Sequence, residues 1–462
     1  MGEQAEKVAA LEAENLRMRA ENERLRAEIE KLKALLEEVR RGQKRQAAPF
    51  SKGLPKADPR PLGRKAGDDY GTKAYRAVPT AVDETYEASL PARCPRCGGG
   101  VVLEGLAEQF QVEIPRRPIR RRFEVQVGRC TCCGKRVQGR HPLQTSDALG
   151  AAASQLGPDA QALATTLNKE AGLSHGKIQR VFQSAFGLTF SRGASAQIML
   201  RAAQRCGHAY REILVVVKES SWCVPDETGW RVGGVLQWLH VFVTELATLY
   251  LIRPSRGFDV AEEALGAEYA GDLTRDGWAP YDRFLCAHHG QCNAHLLRRC
   301  DHLLETAMRG AVNFPRQVKA LLLEALAVRD AREQGRLSLR QARARAATFT
   351  DRLAALCGPK THAGNERLAS FLDFHIGEVF NYLRRPNIDA TNWRAEQAIR
   401  PAVVNRKVWG GNRTQAGAEA QGVLTSVLRT AAQQAKQALD FLSATLRAPL
   451  GRAPRLIIPA PT

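Results

Sequence analysis

The chain has 462 residues, 44% of them hydrophobic and 25% charged, which is ordinary for a folded protein of about two to four domains. Its formal net charge of +20 at pH 7 favours a polyanionic partner, most commonly nucleic acid, with an anionic membrane surface as the alternative. No apolar run approaches the ~18 residues of a membrane helix, and the charged N-terminus lacks the apolar core of a signal peptide. We therefore expect a cytoplasmic, nucleoid-associated protein whose 11 cysteines are thiols or metal ligands rather than disulfides.

Residues 1–40 carry a heptad pattern that predicts a coiled coil for self-association. Apolar residues and two asparagines recur at alternating steps of three and four, flanked by Glu, Lys and Arg. The seam consists of Val8, Leu11, Asn15, Met18, Asn22, Leu25, Ile29, Leu32, Leu36 and Val39. The asparagines favour a parallel pair of helices in fixed register. The alternative is a single amphipathic helix packed on its own domain.

Residues 41–89 begin with a stretch rich in Pro, Gly, Lys and Arg, which predicts a basic linker. Such a linker either contacts DNA phosphates or is merely solvated.

Residues 90–142 contain two CxxC pairs, Cys94 with Cys97 and Cys130 with Cys133. Four thiolates suit one tetrahedral structural Zn²⁺, so we predict a zinc ribbon, with a redox CxxC as the alternative and Cys132 as a bystander. The 32 residues between the pairs exceed the usual ribbon spacing, and we interpret them as an inserted β-hairpin with a basic tip. In that tip, RRPIRRR (116–122), Arg120 and Arg121 are candidates for DNA contact.

Residues 143–210 predict a helical, DNA-binding region. The segment holds a helix, a break at Gly172, a capping Ser174 and a second amphipathic helix. A helix-turn-helix and an ordinary helical hairpin fit this pattern equally well.

Residues 211–447 predict an α/β domain. The apolar run EILVVVK (212–218) is typical of a buried strand, and QWLHVFVT and ATLYLIR fit a hairpin. GFDVAEEAL predicts a helix, and AGDLTRDG a short strand with an acidic end. Helical patterns follow as an insertion at about 300–380 and again at 394–447, interrupted at WGGNR, while residues 448–462 predict a loose tail.

Three carboxylates are candidates for a metal site: Asp226 and Asp276, which follow strand-like stretches, and Glu396, which lies in a helical one. Their wide spacing means that they can meet only where strand ends and a helix converge. Clustered carboxylates repel one another unless a cation neutralises them, and Mg²⁺ suits such oxygen ligands. Each acid alone is more simply a turn, cap or solvated residue. Four neighbouring acids compete for the same role: Asp272, Asp282, Glu227 and Asp389.

Several stretches, in this order along the chain, resemble transposases of the insertion sequence 66 family. They are PRPLGRKAG, the two CxxC pairs, PDETGWRVGG, TRDGWAPYDRF, GQCNAHLLRRC and NIDATNWRAEQAIRPAVVNRKVWGGNRTQAG. The last block is the most specific, since an Asp, a Glu, an Arg-Pro and an Asn-Arg-Lys-x-Trp at fixed spacing are hard to obtain by chance. Two departures from the family pattern, Ala390-Thr391 before Asn392 and Gln397 after Glu396, touch no proposed metal ligand.

The resemblance implies a DDE transposase: an α/β, RNase H-like catalytic core with a large helical insertion, preceded by the coiled coil, the zinc ribbon and the helical region. It implies that Asp226, Asp276 and Glu396 are the catalytic ligands of Mg²⁺ (or Mn²⁺), with Asp276 on the fourth strand of the core. It also implies double-stranded DNA partners, namely the terminal inverted repeats of the element and the target DNA. A homodimer or higher oligomer and accessory proteins of the same element complete the expected partners.

Phosphate contact is predicted for Arg298, Arg400, Arg406 and Lys407, because guanidinium and ammonium groups pair with phosphate oxygens. Merely solvated helix faces are the alternative. A further cysteine and histidine cluster suggests a second zinc ion, but we interpret it as packing beside the active site. Its members are Cys286, His288, His289, Cys292, His295 and Cys300.

These observations together predict a DNA transposase of a bacterial insertion sequence. Metal-dependent phosphoryl transfer would free a 3′-hydroxyl at each element end and join it to target DNA without a covalent protein intermediate. One alternative is a catalytically inactive DNA-binding regulator derived from a transposase, which would not need the three acids to converge. A structure-specific nuclease such as a junction resolvase is another, but it has little use for a zinc ribbon and a coiled coil.

Overall fold

The computed structural model describes residues 14–15, 17–29, 32, 78–112, 114, 117–150, 155–449 and 452–457. The chain divides into two units, Met1–Pro115 and Arg116–Thr462. The predicted basic linker lies outside the described residues as far as residue 77, as does the PRPLGRKAG stretch.

In the first unit, residues 17–29 are helical, as the heptad pattern predicts. The seam side chains Met18, Leu25 and Ile29 are exposed along this helix. Exposed apolar side chains at this spacing are those that a partner helix would cover, and the coiled coil stays a prediction.

The second unit begins with a small antiparallel hairpin of Val127–Arg129 (β1) and Arg136–Gln138 (β2). The chain reverses between Cys130 and Gly134, where the amide of Gly134 donates to the carbonyl of Cys130 at 2.9 Å and glycine adopts a φ of +68°. The hairpin predicted for the insert is wrong, because the described residues of 101–126 contain no strand. The turn that permits pairing lies in the second CxxC pair itself.

Four helices follow the hairpin: Pro158–Lys169 (α1), His175–Phe186 (α2), Arg192–Arg205 (α3) and Gly207–Lys218 (α4). As predicted, α1 and α2 are separated at Gly172, with a φ of +69°, and Ser174 occupies the N-cap of α2. The strand predicted for EILVVVK is wrong, since these residues lie in α4. Ile213 and Val217 are fully buried, whereas Val215 is 53% exposed, and this four-residue spacing of buried positions belongs to an amphipathic helix.

A five-stranded mixed sheet forms the centre of the second unit. Its strands are Trp222–Val232 (β3), Val235–Val243 (β4), Thr248–Arg253 (β5), Asp272–Arg275 (β6) and His288–Gln291 (β7), in the order β5-β4-β3-β6-β7. β3, β4 and β5 are antiparallel, while β6 and β7 run parallel to β3. The predicted hairpin of β4 and β5, the helix Phe258–Leu265 (α5) and the short strand β6 are confirmed. Sequence analysis missed β7, which is only four residues long.

The remaining helices separate into an insertion and a second layer. The insertion after β7 contains Asn293–Thr306 (α6), Asn313–Glu333 (α7), Leu339–Leu356 (α8), Ala363–Phe374 (α9) and Asn381–Arg384 (α10), with its own buried core. Trp393–Trp409 (α11), Gln415–Gln433 (α12) and Ala438–Arg447 (α13) follow, and α11 and α12 pack on the sheet. Short 3₁₀ helices lie at Ala279–Arg283 and Arg309–Val312. The predicted loose tail is partly anchored, because Leu456 and Ile457 are buried in the apolar core of the second unit.

Candidate active site

The sheet brings Asp226 and Asp276 to the same level of two neighbouring strands. β3 and β6 are parallel and paired in the register Trp222 to Asp272. Asp226 and Asp276 each lie four residues beyond these partners (226 − 222 and 276 − 272). Asp276 lies just beyond the carboxyl end of β6, where α/β folds place their sites, and Asp226 lies inside β3, three residues past its last pairing with β6.

Glu396 reaches the same region from α11. It lies in the first turn of this helix, with its side chain 45% exposed. The helix is anchored on the sheet near both of its ends: Tyr250 Oη donates to the carbonyl of Ala398 at 2.7 Å, and Arg406 Nη1 donates to Thr228 Oγ1 at 3.2 Å. These contacts determine where the Glu396 carboxylate lies relative to β3.

The charges of Asp276 and Glu396 both act on the carboxyl group of Asp226. Burial, together with the negative charges of Glu227, Asp276 and Glu396, raises the pKa of Asp226 to about 7, although a backbone hydrogen bond from Glu227 opposes the shift. A buried carboxylate under such repulsion is stabilised when a cation joins it.

Each of the four competing acids has an arginine partner. The ion pairs are Glu227 with Arg256 at 2.7 Å, Asp272 with Arg385 at 2.5 Å, Asp282 with Arg275 at 2.6 Å and Asp389 with Arg394 at 2.6 Å. Asp226 and Asp276 form no ion pair with any described residue. Asp226 Oδ1 accepts the amide of Glu227 at 2.8 Å, and Asp276 Oδ1 accepts the amide of Trp278 at 3.0 Å. Of these six acids, Asp226 and Asp276 are thus the two without an ion-pair partner among the described residues.

These donors fit a divalent metal ion. The donor set is oxygen-only, and both strand acids keep oxygens free for a ligand, as Mg²⁺ and Mn²⁺ require. In this geometry no three His, Cys, Asp or Glu side chains of the described residues are close enough together to hold a metal. The fit is thus one of donor chemistry, and the described side chains are not assembled into a metal site in this structure.

Cys292 and His295 border the site, in agreement with the packing interpretation. The thiol of Cys292 lies 3.1 Å from Oδ1 of Asn392, the N-cap of α11. Nε2 of His295 accepts from Arg298 at 2.9 Å, and burial, with the Arg298 charge, lowers the pKa of this imidazole. The side chains link the start of α6 to the start of α11.

The predicted DNA-contact residues differ from one another in exposure and in their contacts. Arg400 and Lys407 are exposed on α11, and Arg120 and Arg121 are exposed before β1. Arg406 is engaged with β3, where it also donates to the carbonyl of Gly229. DNA contact by these residues stays a prediction.

The two CxxC pairs form turns of the same kind, one in each unit. In the first, the Gly98 amide donates to the carbonyl of Cys94 at 2.8 Å and glycine has a φ of +75°, which matches the Cys130–Gly134 turn. Backbone amides of Arg96 and Cys97 lower the pKa of the Cys94 thiol, and those of Cys133 and Cys132 lower the pKa of Cys130. In each turn the backbone amides therefore favour the thiolate form of the first cysteine.

Arg256, which was not predicted as a site residue, contacts the residues that follow both strand acids. Its guanidinium lies 3.8 Å from the ring centre of Trp278 and 4.7 Å from that of Trp238, and it donates to Glu227. Trp278 in turn donates to Asp276, so Arg256 positions the turn that carries this acid. The tryptophan of TRDGW was the only signal in the sequence.

The five-stranded mixed sheet and the many helices around it are compatible with the core of a DDE transposase. The family model described as Transposase IS66 family matches residues 153–420. The chain therefore belongs to the IS66 transposase family, which confirms the resemblance found in its motifs. No curated protein matches the chain. None of the helices within the described residues is long and apolar enough to cross a membrane.

Proposed function

We propose that this protein is a DNA transposase that cleaves the ends of an insertion sequence and joins them to target DNA by metal-dependent phosphoryl transfer. One observation carries the proposal: Asp226 and Asp276 lie at one level of parallel strands without counter-ions, whereas every competing acid nearby has an arginine partner. Family membership supports the same function.

The proposed site residues have different roles in such a reaction. Asp226, Asp276 and Glu396 would hold Mg²⁺ (or Mn²⁺), which supplies activation of the attacking oxygen and stabilisation of the leaving oxygen. Backbone amides hold one oxygen of each strand acid, which leaves the other oxygen available to a ligand. Arg298 pairs with Glu396, and its guanidinium would be free to pair with a phosphate if Glu396 served as a metal ligand.

The accessory modules complete the proposal. The matching turn geometry and lowered thiol pKa values support a structural Zn²⁺ held by Cys94, Cys97, Cys130 and Cys133. The exposed seam of residues 17–29 supports pairing of two protomers, so that both element ends are processed together.

The test is cleavage of a labelled element-end duplex with Mg²⁺ by the parent chain, Asp276→Asn and Asp226→Asn. Asp351→Asn, an exposed acid on α8, is the control for loss of one negative charge. We expect the parent and the control to cleave and join, and both site variants to bind DNA but lose at least about 10³-fold in rate, as expected when a metal ligand is removed.

Binding without cleavage by the parent, with the accessory proteins of the element supplied, would favour the inactive regulator instead. Cleavage by both site variants would show that the acids are not metal ligands.

A further inference from the structure

A pocket of about 270 Å³ opens between α6 and α9, beside the proposed active site. Its walls combine basic and apolar groups: Arg299, His302, Leu303, Gly364, Arg367 and Leu368. Three potentially cationic side chains and two leucines thus line one cavity. This combination suits an anion that is attached to an apolar body.

The basic groups of this pocket are not held in ion pairs within the described part of the chain. Arg299, His302 and Arg367 form no ion pair with any described residue. The two acids that neighbour them in sequence are engaged elsewhere: Asp301 pairs with Lys319 at 2.5 Å, and Glu366 accepts the amide of Lys360 at 2.6 Å. The pocket therefore keeps a positive potential that a ligand can use.

The pocket is connected to the active site through a single aromatic side chain. The guanidinium of Arg299 lies over the ring of Phe371, 4.2 Å from its centre. The same ring packs directly on Gly277, where a Cβ atom would lie only 2.7 Å from Phe371 Cζ. Gly277 follows Asp276, and the Asp276 carboxylate is near enough to Arg299 to oppose the lowering of its pKa by burial. The Phe371 ring thus contacts both Arg299, which lines the cavity, and Gly277, which follows Asp276.

This geometry points to a subsite for a phosphodiester of the DNA backbone, next to the phosphate that is cleaved. Arginine pairs with two phosphate oxygens at once, and Leu303 and Leu368 offer an apolar surface to the attached deoxyribose. A DNA strand leaving the acids would cross Phe371 and place its neighbouring phosphate between Arg299 and Arg367. The subsite rests on the proposed function, since it takes the same DNA strand.

The test uses Arg367→Gln, because Arg367 is exposed and no described contact depends on its guanidinium. Arg345→Gln, an exposed arginine on α8, is the matched control. Binding of an element-end duplex is measured against salt with Ca²⁺ in place of Mg²⁺, using a series of duplexes in which one backbone phosphate at a time is a neutral methylphosphonate. Thermal melting verifies that each variant is folded.

For Arg367→Gln we expect about five- to tenfold weaker binding at fixed salt and a salt slope reduced by about 0.9, the value for one lost phosphate contact. A methylphosphonate at one or two adjacent positions should weaken the parent and Arg345→Gln, but not Arg367→Gln. The subsite is overturned if Arg367→Gln binds like the control, or if it stays as sensitive as the parent to every methylphosphonate. A parent chain that does not bind the end duplex overturns the proposed function and the subsite with it.

Discussion

Nη2 of Arg298 lies 3.2 Å from Oε1 of Glu396, so an arginine of α6 holds the carboxylate that we propose as the third metal ligand. The two side chains are 60% and 45% exposed, and such surface pairs contribute only about 0–1 kcal/mol to stability. The pair is therefore weak enough to exchange for a metal ion and a phosphate.

Replacing Arg298 should change metal affinity and DNA cleavage but hardly change the stability of the fold. For Arg298→Ala we expect a change of less than about 1 kcal/mol in the free energy of unfolding, because the pair is exposed. Mn²⁺ should bind a few-fold more tightly, since the competing cation is gone, while DNA cleavage falls. Electron paramagnetic resonance titration of Mn²⁺ measures the affinity, with Arg400→Ala as a control that removes a charge not bonded to Glu396. Equal Mn²⁺ affinities in both variants and the parent would contradict this role.

The pair of Glu227 and Arg256 should be strongly coupled. The Glu227 side chain is 1% exposed, so Arg256→Met leaves a buried carboxylate without its partner, at a cost on the order of 3 kcal/mol. Adding Glu227→Gln should recover much of this loss, because the uncompensated charge is removed. Urea unfolding of both single variants and the double variant measures the coupling; additive losses would show that the pair is not coupled.

Tyr250 should influence the active site from a distance. Tyr250→Phe removes the hydrogen bond to the carbonyl of Ala398 and should cost about 1 kcal/mol of stability. Because α11 carries Glu396, the rate of DNA cleavage should fall as well. Tyr210→Phe is the matched control, since Tyr210 Oη donates to the carbonyl of Tyr250 at 3.2 Å and has no such bond to α11. A cleavage rate that falls equally in both variants would argue against positioning of Glu396.

Stability should rise with pH because of Lys169. This side chain is buried, donates to Gln421 Oε1 at 2.6 Å, and its pKa is lowered by burial to about 7. Since its pKa in the unfolded chain is higher, the unfolded state holds a proton that the folded state lacks between about pH 7 and 10.5. The free energy of unfolding should gain up to about 1.4 kcal/mol per pH unit from this group.

Lys169→Met provides the comparison for this pH effect. Its free energy of unfolding, measured by urea between about pH 7 and 9.5, should rise less steeply than that of the parent. Parallel curves would show that Lys169 keeps its ordinary pKa in the folded protein.

The cysteine turns predict a defined metal content. The purified parent should hold one zinc ion per chain, measured by elemental analysis, because four thiolates complete one tetrahedral site. Cys97→Ser and Cys133→Ser should each lose it, whereas Cys132→Ser should retain it. Loss in Cys132→Ser as well, or a parent without zinc, would refute this assignment of ligands.

Strands whose residue pattern is visible in one short stretch of the chain could be predicted from the sequence. The apolar runs of β4 and β5 and the acidic end of β6 are visible in the chain, and the structure contains all three strands. EILVVVK could not be assigned in the same way, because a short run of apolar β-branched residues serves a strand or one face of a helix equally well. Contact of Ile213 and Val217 with the core selected the helix.

The candidate site, like the fold, could be predicted only in part from the sequence. Motifs in the residue order identified the family and predicted Asp226, Asp276 and Glu396 as its site residues, because each motif is a continuous stretch of the chain. Folding alone established which acids stay without a partner, as Asp272 shows by pairing with Arg385, 113 positions away. Coulombic neutralisation depends on the distance between charges in space, and positions along a chain do not set that distance.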